Sequence, residues 1–546
     1  MTELRDGSSV GSGRAPTGKR WLQRLHLADW RLLLTISCAT VLGVSSVALG
    51  VNLGGLAPPL VAVSIGVSAS ATPVPLPTWG LNVAPTHVFN VSDARLVGDT
   101  PARFLRFPGG LVAEWMNWTS GVLTEPNGTT VSTTTSIAAF VAGCETIGCD
   151  AILDLPAEID EPSTAAYYVA YTESTLGFHP AYWEIGNEPA GWTHFGQPWS
   201  QWGTPGTGLT PHQYALLVRN YTAAIRQVDP STPILGLAAG EQQQPTAWIP
   251  PLLALDGKEL AGISIHEYPA VPTPVLVTPV QYFATLAQGR YAIPSVVPDY
   301  LSTIAASCTG CSLSLFLDEV GTSDGNPGAY AGYGSSFDGA LYEAAEVTQL
   351  LAQRVGNVDW FTFQGGYPGA WVTAAAQPTP MYELFRAILD HLGSSYLPTA
   401  VTGYPGVYAA GTVGGSLGYS LLVVNTNPST YVSFDLARAG FAETTVPAIY
   451  WASGTPAPLG TNFSGSALLA PLSVALLSGP LNPASSEPAA SLSVSLIALE
   501  EPTILLPLGS VAVALGAATL VWVRSYPRLL GGAAAALGII LILSVI

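Results

Sequence analysis

The sequence predicts an α/β protein: a (β/α)8 TIM barrel followed by a small all-β sandwich, with terminal transmembrane helices. Three observations carry this. Eight β-type runs alternate with helical stretches between residues 79 and 395. From 396 to 482 the pattern changes to short strands broken by Gly, Pro, Asn and Ser. Three apolar stretches without charge flank this material near the two ends.

Taken in order, residues 1–31 form a basic tail and 32–51 an uncharged apolar stretch, read as a transmembrane helix or signal anchor. Residues 52–78 read as an apolar, Pro-rich linker. The barrel follows over 79–395, the sandwich over 396–482, a second linker over 483–501, and apolar spans over 502–523 and 529–546. The first and second stretches reach the roughly 20 residues that cross a bilayer, and the third sits at the low end of that range. Arg5, Arg14, Lys19, Arg20, Arg24 and Arg31 precede the first, and Arg524 and Arg528 lie between the last two. Basic flanks stay cytoplasmic, so both ends place the intervening chain outside a cell membrane. A cleaved signal peptide is the competing reading of the first stretch. The C-terminal pair anchors the chain either way.

The chain carries a formal net charge of −18, and 52–499 holds 10 basic against 31 acidic residues. Such a surface aids solubility and also suits work in acid, where protonation relieves self-repulsion. No basic patch exists to neutralise phosphates, which excludes a nucleic-acid partner. Of the five cysteines, Cys38 lies in the first apolar stretch, and the others form close pairs, Cys144 with Cys149 and Cys308 with Cys311. In an oxidising exterior these read as two local disulfides. A zinc site from the four thiolates is the weaker reading, because a spacing of five is unusual and no histidine sits beside either pair. No metal and no cofactor are expected.

The eight barrel runs are 79–83, 104–109, 151–157, 182–188, 234–239, 263–269, 313–320 and 360–365, with helices such as 213–227 and 337–354 between them. In the sandwich, strands are expected at 419–425, 431–436, 446–451 and 474–477. Functional residues of such barrels gather at strand C-terminal ends. Glu188 ends the fourth run after Gly186-Asn187, and Glu319 ends the seventh in Leu317-Asp318-Glu319-Val320-Gly321. These ends face one another across the mouth. Two carboxyl groups about 5 Å apart are what retaining cleavage of a glycosidic bond requires, one to protonate the leaving oxygen and one to attack the anomeric carbon.

An Asn-Glu-Pro at the end of strand four with a Glu ending strand seven resembles clan A of the retaining glycoside hydrolases. Leu105-Arg106-Phe107-Pro108-Gly109-Gly110, followed by Trp115 and Trp118, is similar to the second-strand motif of arabinofuranosidase-like and endoglucanase-like members. Ile265-His266-Glu267-Tyr268-Pro269 resembles the strand-six run of several members, including the heparanase and β-glucuronidase group. The resemblance spans the barrel and the following β-domain and does not single out one family. It implies that Glu188 is the acid/base and Glu319 the nucleophile. Asn187 would then donate to the sugar's 2-hydroxyl, and Arg106 would lie below Glu319 and favour its charge. Tyr268 would donate to Glu319, and His266 would contact substrate or hold Tyr268. Glu188 must hold a proton in the first step and give it up before the second.

Trp192, Trp199 and Trp202 follow strand four and Trp371 follows strand eight, where indole faces can stack on sugars. The expected function is a membrane-anchored extracellular retaining glycoside hydrolase, acting on a neutral poly- or oligosaccharide by double displacement. The alternative is a non-catalytic carbohydrate-binding protein on the same barrel.

Overall fold

Eight parallel strands close into a barrel. In chain order they are β1 (Thr78–Asn82), β2 (Phe104–Phe107), β3 (Asp150–Leu155), β4 (Tyr182–Ile185), β5 (Ile234–Gly240), β6 (Gly262–Glu267), β7 (Ser314–Val320) and β8 (Asn357–Trp360). β8 pairs back to β1, with Val358 opposite Trp79. The structure is a computed structural model that describes residues 59–125, 128–192, 209–240, 244–269, 278–288, 291–322, 336–365, 369–414 and 418–485.

Helices α1 (Val91–Gly98), α2 (Ile137–Ile147), α3 (Pro162–Ala170), α4 (Pro211–Val228), α5 (Pro245–Asp256), α6 (Pro279–Gln288), α7 (Ile293–Ser307), α8 (Phe337–Leu351) and α9 (Pro380–Ala387) connect the strands and follow the last. The local sequence explains them. In α4 the Thr210 side chain caps the Gln213 amide while the Gln213 side chain accepts from the Thr210 amide, and Pro211 occupies the first helical position. Tyr214, Leu217, Val218, Tyr221 and Ile225 recur at helical spacing and bury one face against the barrel. Nearly every residue of α8 from Gly339 onward is buried, because it lies between barrel and β-domain. Cys144–Cys149 and Cys308–Cys311 form disulfides, with Cα separations of 5.1 and 5.6 Å. Each clips the end of a helix to the chain entering the next barrel strand.

The β-domain is a ten-stranded sheet plus a two-stranded one. One set of its side chains, including Ala410, Leu422, Val424, Trp451 and Leu476, belongs to the same core as the barrel. Phe337 of α8 meets Trp451 edge-on at 4.9 Å. Another set, including Leu421, Val423, Val432, Phe434, Ala475 and Leu477, closes a second core.

Two expectations are corrected. The stretch read as a linker, 52–78, contributes strands at Leu60–Ala62, Ser64–Val67 and Val74–Pro75. These pair with Tyr431–Asp435, Thr399–Thr402 and Ser395–Leu397. Val63, Ile65 and Val67 alternate into the second core, a period of two that marks a strand despite the prolines around it. The eighth barrel strand was expected at 360–365 and lies at Asn357–Trp360. Its polar residues point inward: Asn357 accepts from Thr78, and a Cβ on Gly80 would lie 1.8 Å from Asp359 Oδ1. That alternation breaks the apolar run by which the other strands were found. Strands Val407–Val413, Leu459–Ser464 and Ser466–Leu469 of the β-domain were also not expected. No helix among the described residues is long and apolar enough to cross a membrane. The spans expected at 32–51, 502–523 and 529–546 lie outside the described residues, as does most of the linker 483–501.

Candidate active site

The barrel mouth is built around Arg106, which is fully buried at the end of β2. Its five N–H donors are all committed. Nε donates to Glu184 Oε2 at 2.6 Å, and Nη1 donates to Glu319 Oε1 at 2.7 Å and Asn82 Oδ1 at 3.0 Å. Nη2 reaches Asp154 Oδ2 at 3.2 Å and Asn187 Oδ1 at 2.9 Å. Asp318 Oδ2 lies 3.3 Å from Nε. One guanidinium therefore serves four carboxyl groups in a dry interior, where unpaired charge is costly. Burial holds the Asp154 and Asp318 carboxyls well above the usual range. Burial also opposes ionisation of Glu184, but Arg106 and hydrogen bonds from its neighbours overcome it and draw that group down.

Asp318 and Glu319 are consecutive, yet both meet Arg106. A regular strand would point them to opposite faces. The register between β6 and β7 slips here: Ile265 pairs with Leu317, but His266 pairs with Glu319. The extra residue is a bulge, which re-aims a side chain. A second slip, between β5 and β6 at Leu237/Ala239, leaves Ala238 free to accept from the Glu188 amide at 2.9 Å.

Glu319 also accepts from the Tyr268 hydroxyl at 2.8 Å. Glu188 stands opposite, with its side chain about one-third exposed. His266 Nδ1 lies 3.0 Å from Glu188 Oε1 and 3.5 Å from Glu319 Oε2. Burial disfavours its charged form, but Glu319 and Glu188 outweigh burial and shift its pKa upward. His266 therefore bridges the two carboxylates and does not hold Tyr268. One oxygen of Glu188 and one of Glu319 lie within 4.8 Å of each other, and an imidazole nitrogen lies within the same distance of both. Among the described residues this is the one set with the makings of a metal site. Arg106, 2.7 Å from Glu319, opposes a second cation there.

Asn187 presents its amide oxygen to Arg106 and keeps its NH2 as a donor for a ligand. Gly186, at φ +73°, has no room for a side chain: a Cβ would lie 2.6 Å from the Trp192 ring. Trp192 is not a sugar platform. It is fully buried, donates Nε1–H to the Asn187 carbonyl at 2.6 Å and packs edge-on against Tyr214. Trp118 is likewise interior, stacked on Tyr168 at 4.9 Å, and Trp371 is buried against Phe385. Trp115 alone of these indoles is only half-buried, with Nε1 donating to Glu158 Oε2 at 3.2 Å. Trp199 and Trp202 lie outside the described residues. Sequence reasoning missed Asn82, Glu114, Asp154, Glu184 and Asp318. Three of these, Asp154, Glu184 and Asp318, are acidic residues within predicted strands, a signal that was available.

No protein-family model matches the sequence, and no curated protein is similar to it. Solved structures are. A GH51 arabinofuranosidase from Xanthomonas axonopodis pv. citri superposes with a TM-score of 0.58 at 15% identity, over 77% of this chain and 99% of that one. CelM2, a bifunctional glucanase-xylanase from a metagenome library, gives 0.59 at 15% identity, over 78% of this chain and 100% of its own. Cel44A, a GH family 44 endoglucanase from Clostridium thermocellum, gives 0.57 at 11% identity, over 76% and 99%. The fold is that of the clan A glycoside hydrolases. At these identities the likeness is one of architecture. The aligned region spans nearly the whole length of each neighbour.

Proposed function

We propose that the chain is a retaining glycoside hydrolase with Glu319 as nucleophile and Glu188 as acid/base. The observation that carries this is that one oxygen of Glu188 and one of Glu319 lie within 4.8 Å of each other, which suits the separation of about 5 Å used in double displacement better than the separation of about 6.5–9.5 Å used in inversion. Their surroundings divide the roles. Glu319 receives hydrogen bonds from Arg106 and Tyr268, which stabilise an anion. Glu188 faces solvent at the mouth, where a leaving group departs. In the first step Glu319 forms a bond to the anomeric carbon as the glycosidic bond breaks, and Glu188 gives its proton to the leaving oxygen. In the second, Glu188 takes a proton from water, whose oxygen displaces Glu319 and releases the sugar.

The substrate class that fits is a neutral glycan of plant or cell-surface type. Among the described residues Arg106 is the one Lys or Arg at the heart of the site, and it is committed to protein carboxylates, so a polyanionic chain would find little to pair with. The arabinofuranosidase and glucanase-xylanase neighbours are consistent with this. The apolar stretches and basic flanks of the sequence support anchoring in a cell membrane with the barrel outside, and the two disulfides agree with an oxidising compartment.

The test is a screen of the full chain in detergent on aryl glycosides and neutral glycans. Turnover by the wild type, lost in Glu319→Ala and reduced about 10²–10⁴-fold in Glu188→Gln on substrates with poor leaving groups, supports the reading. Sugar binding without turnover, equal in wild type and Glu319→Ala, would instead make the chain a carbohydrate-binding protein.

A further inference from the structure

The acid/base is held by a turn whose conformation the strand alone does not dictate. Glu188 adopts a left-handed backbone (φ 49°, ψ 59°), two residues after Gly186 at φ 73°, and non-glycine residues rarely enter this region unless their surroundings impose it. Four contacts do so. The Glu188 amide donates to Ala238, the Asn187 carbonyl accepts from Trp192, and the Asn187 side chain accepts from Arg106. The fourth is Glu114. Its Oε1 accepts from the Asn187 amide and its Oε2 from the Glu158 amide at 2.6 Å.

Glu114 has no exposed surface and comes from the short turn Leu111–Trp115 that follows the end of β2. It therefore ties three strand ends together: its own, the chain after β3 through Glu158, and the Asn187-Glu188 turn after β4. Oε1 would lie 3.0 Å from a Cβ on Gly186, so the carboxylate sits directly beneath the turn. From its hydrogen bonds and position, we infer that Glu114 is a positioning residue for the acid/base: it fixes where Glu188 stands relative to the leaving oxygen without touching substrate. The inference rests on the assignment of Glu188 given above. As a carboxylate Glu114 accepts through both oxygens, whereas a glutamine there, with a single acceptor, leaves one backbone N–H facing an NH2 group.

The experiment compares the full-chain wild type, Glu114→Gln and Glu188→Gln on aryl glycosides whose leaving groups run from 2,4-dinitrophenol to 4-methoxyphenol. A displaced acid fails on poor leaving groups and is dispensable for good ones, whereas general damage slows both equally. Glu114→Gln is expected to lose about 10²-fold in kcat/KM on the poorest leaving group and under about 3-fold on the best. Hydrogen exchange at the Asn187 amide, measured without substrate, is expected to accelerate in the same variant. Equal losses across the series, or no loss and unchanged exchange, would overturn the inference. If Glu188→Gln itself shows no leaving-group dependence, the assignment of Glu188 fails first. If no substrate is turned over, unchanged exchange at Asn187 alone overturns the role of Glu114.

Discussion

Arg106 is the residue on which the site's electrostatics turn. Replacing it with Gln leaves Asp154, Glu184, Asp318 and Glu319 buried around a neutral amide. Breaking a buried ion pair by removing one partner costs about 3–5 kcal/mol, so Arg106→Gln should melt far below wild type at pH 7. Because the stranded carboxyls can take up protons, the deficit should shrink toward pH 4–5, and thermal melts at both values check this. An equal deficit at both would show that charge is not what Arg106 supplies. At this scale the sequence singles out residues at strand ends, and the structure brings Arg106, Glu188, Glu319 and Tyr268 together at the barrel mouth. For Trp192 the loop position fits a sugar platform and plain packing equally, and the structure shows packing, against Tyr214, which is distant in the chain. Glu114 has no periodicity around it and was invisible for the same reason.

Among the elements, the strands before β1 show how far tertiary pairing decides structure. Ser64–Val67 is too short to be stable alone and is defined by pairing with Thr399–Thr402. Ile65 is buried in the second core, so Ile65→Ala should cost about 2–5 kcal/mol. A urea titration of the full chain measures it. An effect below about 0.5 kcal/mol, typical of a surface position, would mean that this segment is a linker after all. The β7 bulge was equally hidden. Leu317-Asp318-Glu319-Val320 gives no sign of which residue is extra, since register belongs to the pair of strands. The period-two alternation of Val63, Ile65 and Val67, by contrast, was present in the sequence and was masked by the prolines flanking it.

Across the whole molecule, acid is built into the interior. Glu114, Asp154, Glu184, Glu267, Asp318, Glu343, Glu346 and Asp359 have no exposed surface, while Arg106 is the one Lys or Arg so buried among the described residues. Burial raises Glu114, Asp154, Asp318, Glu343 and Glu346 and takes Asp359 to about 7. Glu184, drawn down by Arg106 and its hydrogen bonds, works in the opposite sense. A carboxyl whose folded pKa is raised binds its proton more tightly folded than unfolded. Its contribution is complete below the unfolded value near 4 and is lost as pH rises through the folded one. The urea midpoint should therefore be higher at pH 5 than at pH 8, and Asp359→Asn should reduce the difference. A midpoint that rises with pH would refute this. The fold class was visible from alternating strands and helices, and the acidic bias from composition. That the bias is also internal was legible only in part: Asp154, Glu184 and Asp318 fall within predicted strands, whereas Glu114, Glu343 and Glu346 lie on a turn and a helix whose depth is set by packing.

The central claim is that Glu188 and Glu319 cleave a glycosidic bond by double displacement. It is tested most directly by proton NMR of the first sugar released by the full-chain protein, recorded before mutarotation. The account predicts a product with the same anomeric configuration as the substrate, and no such product from Glu319→Ala. A first product of inverted configuration would contradict it.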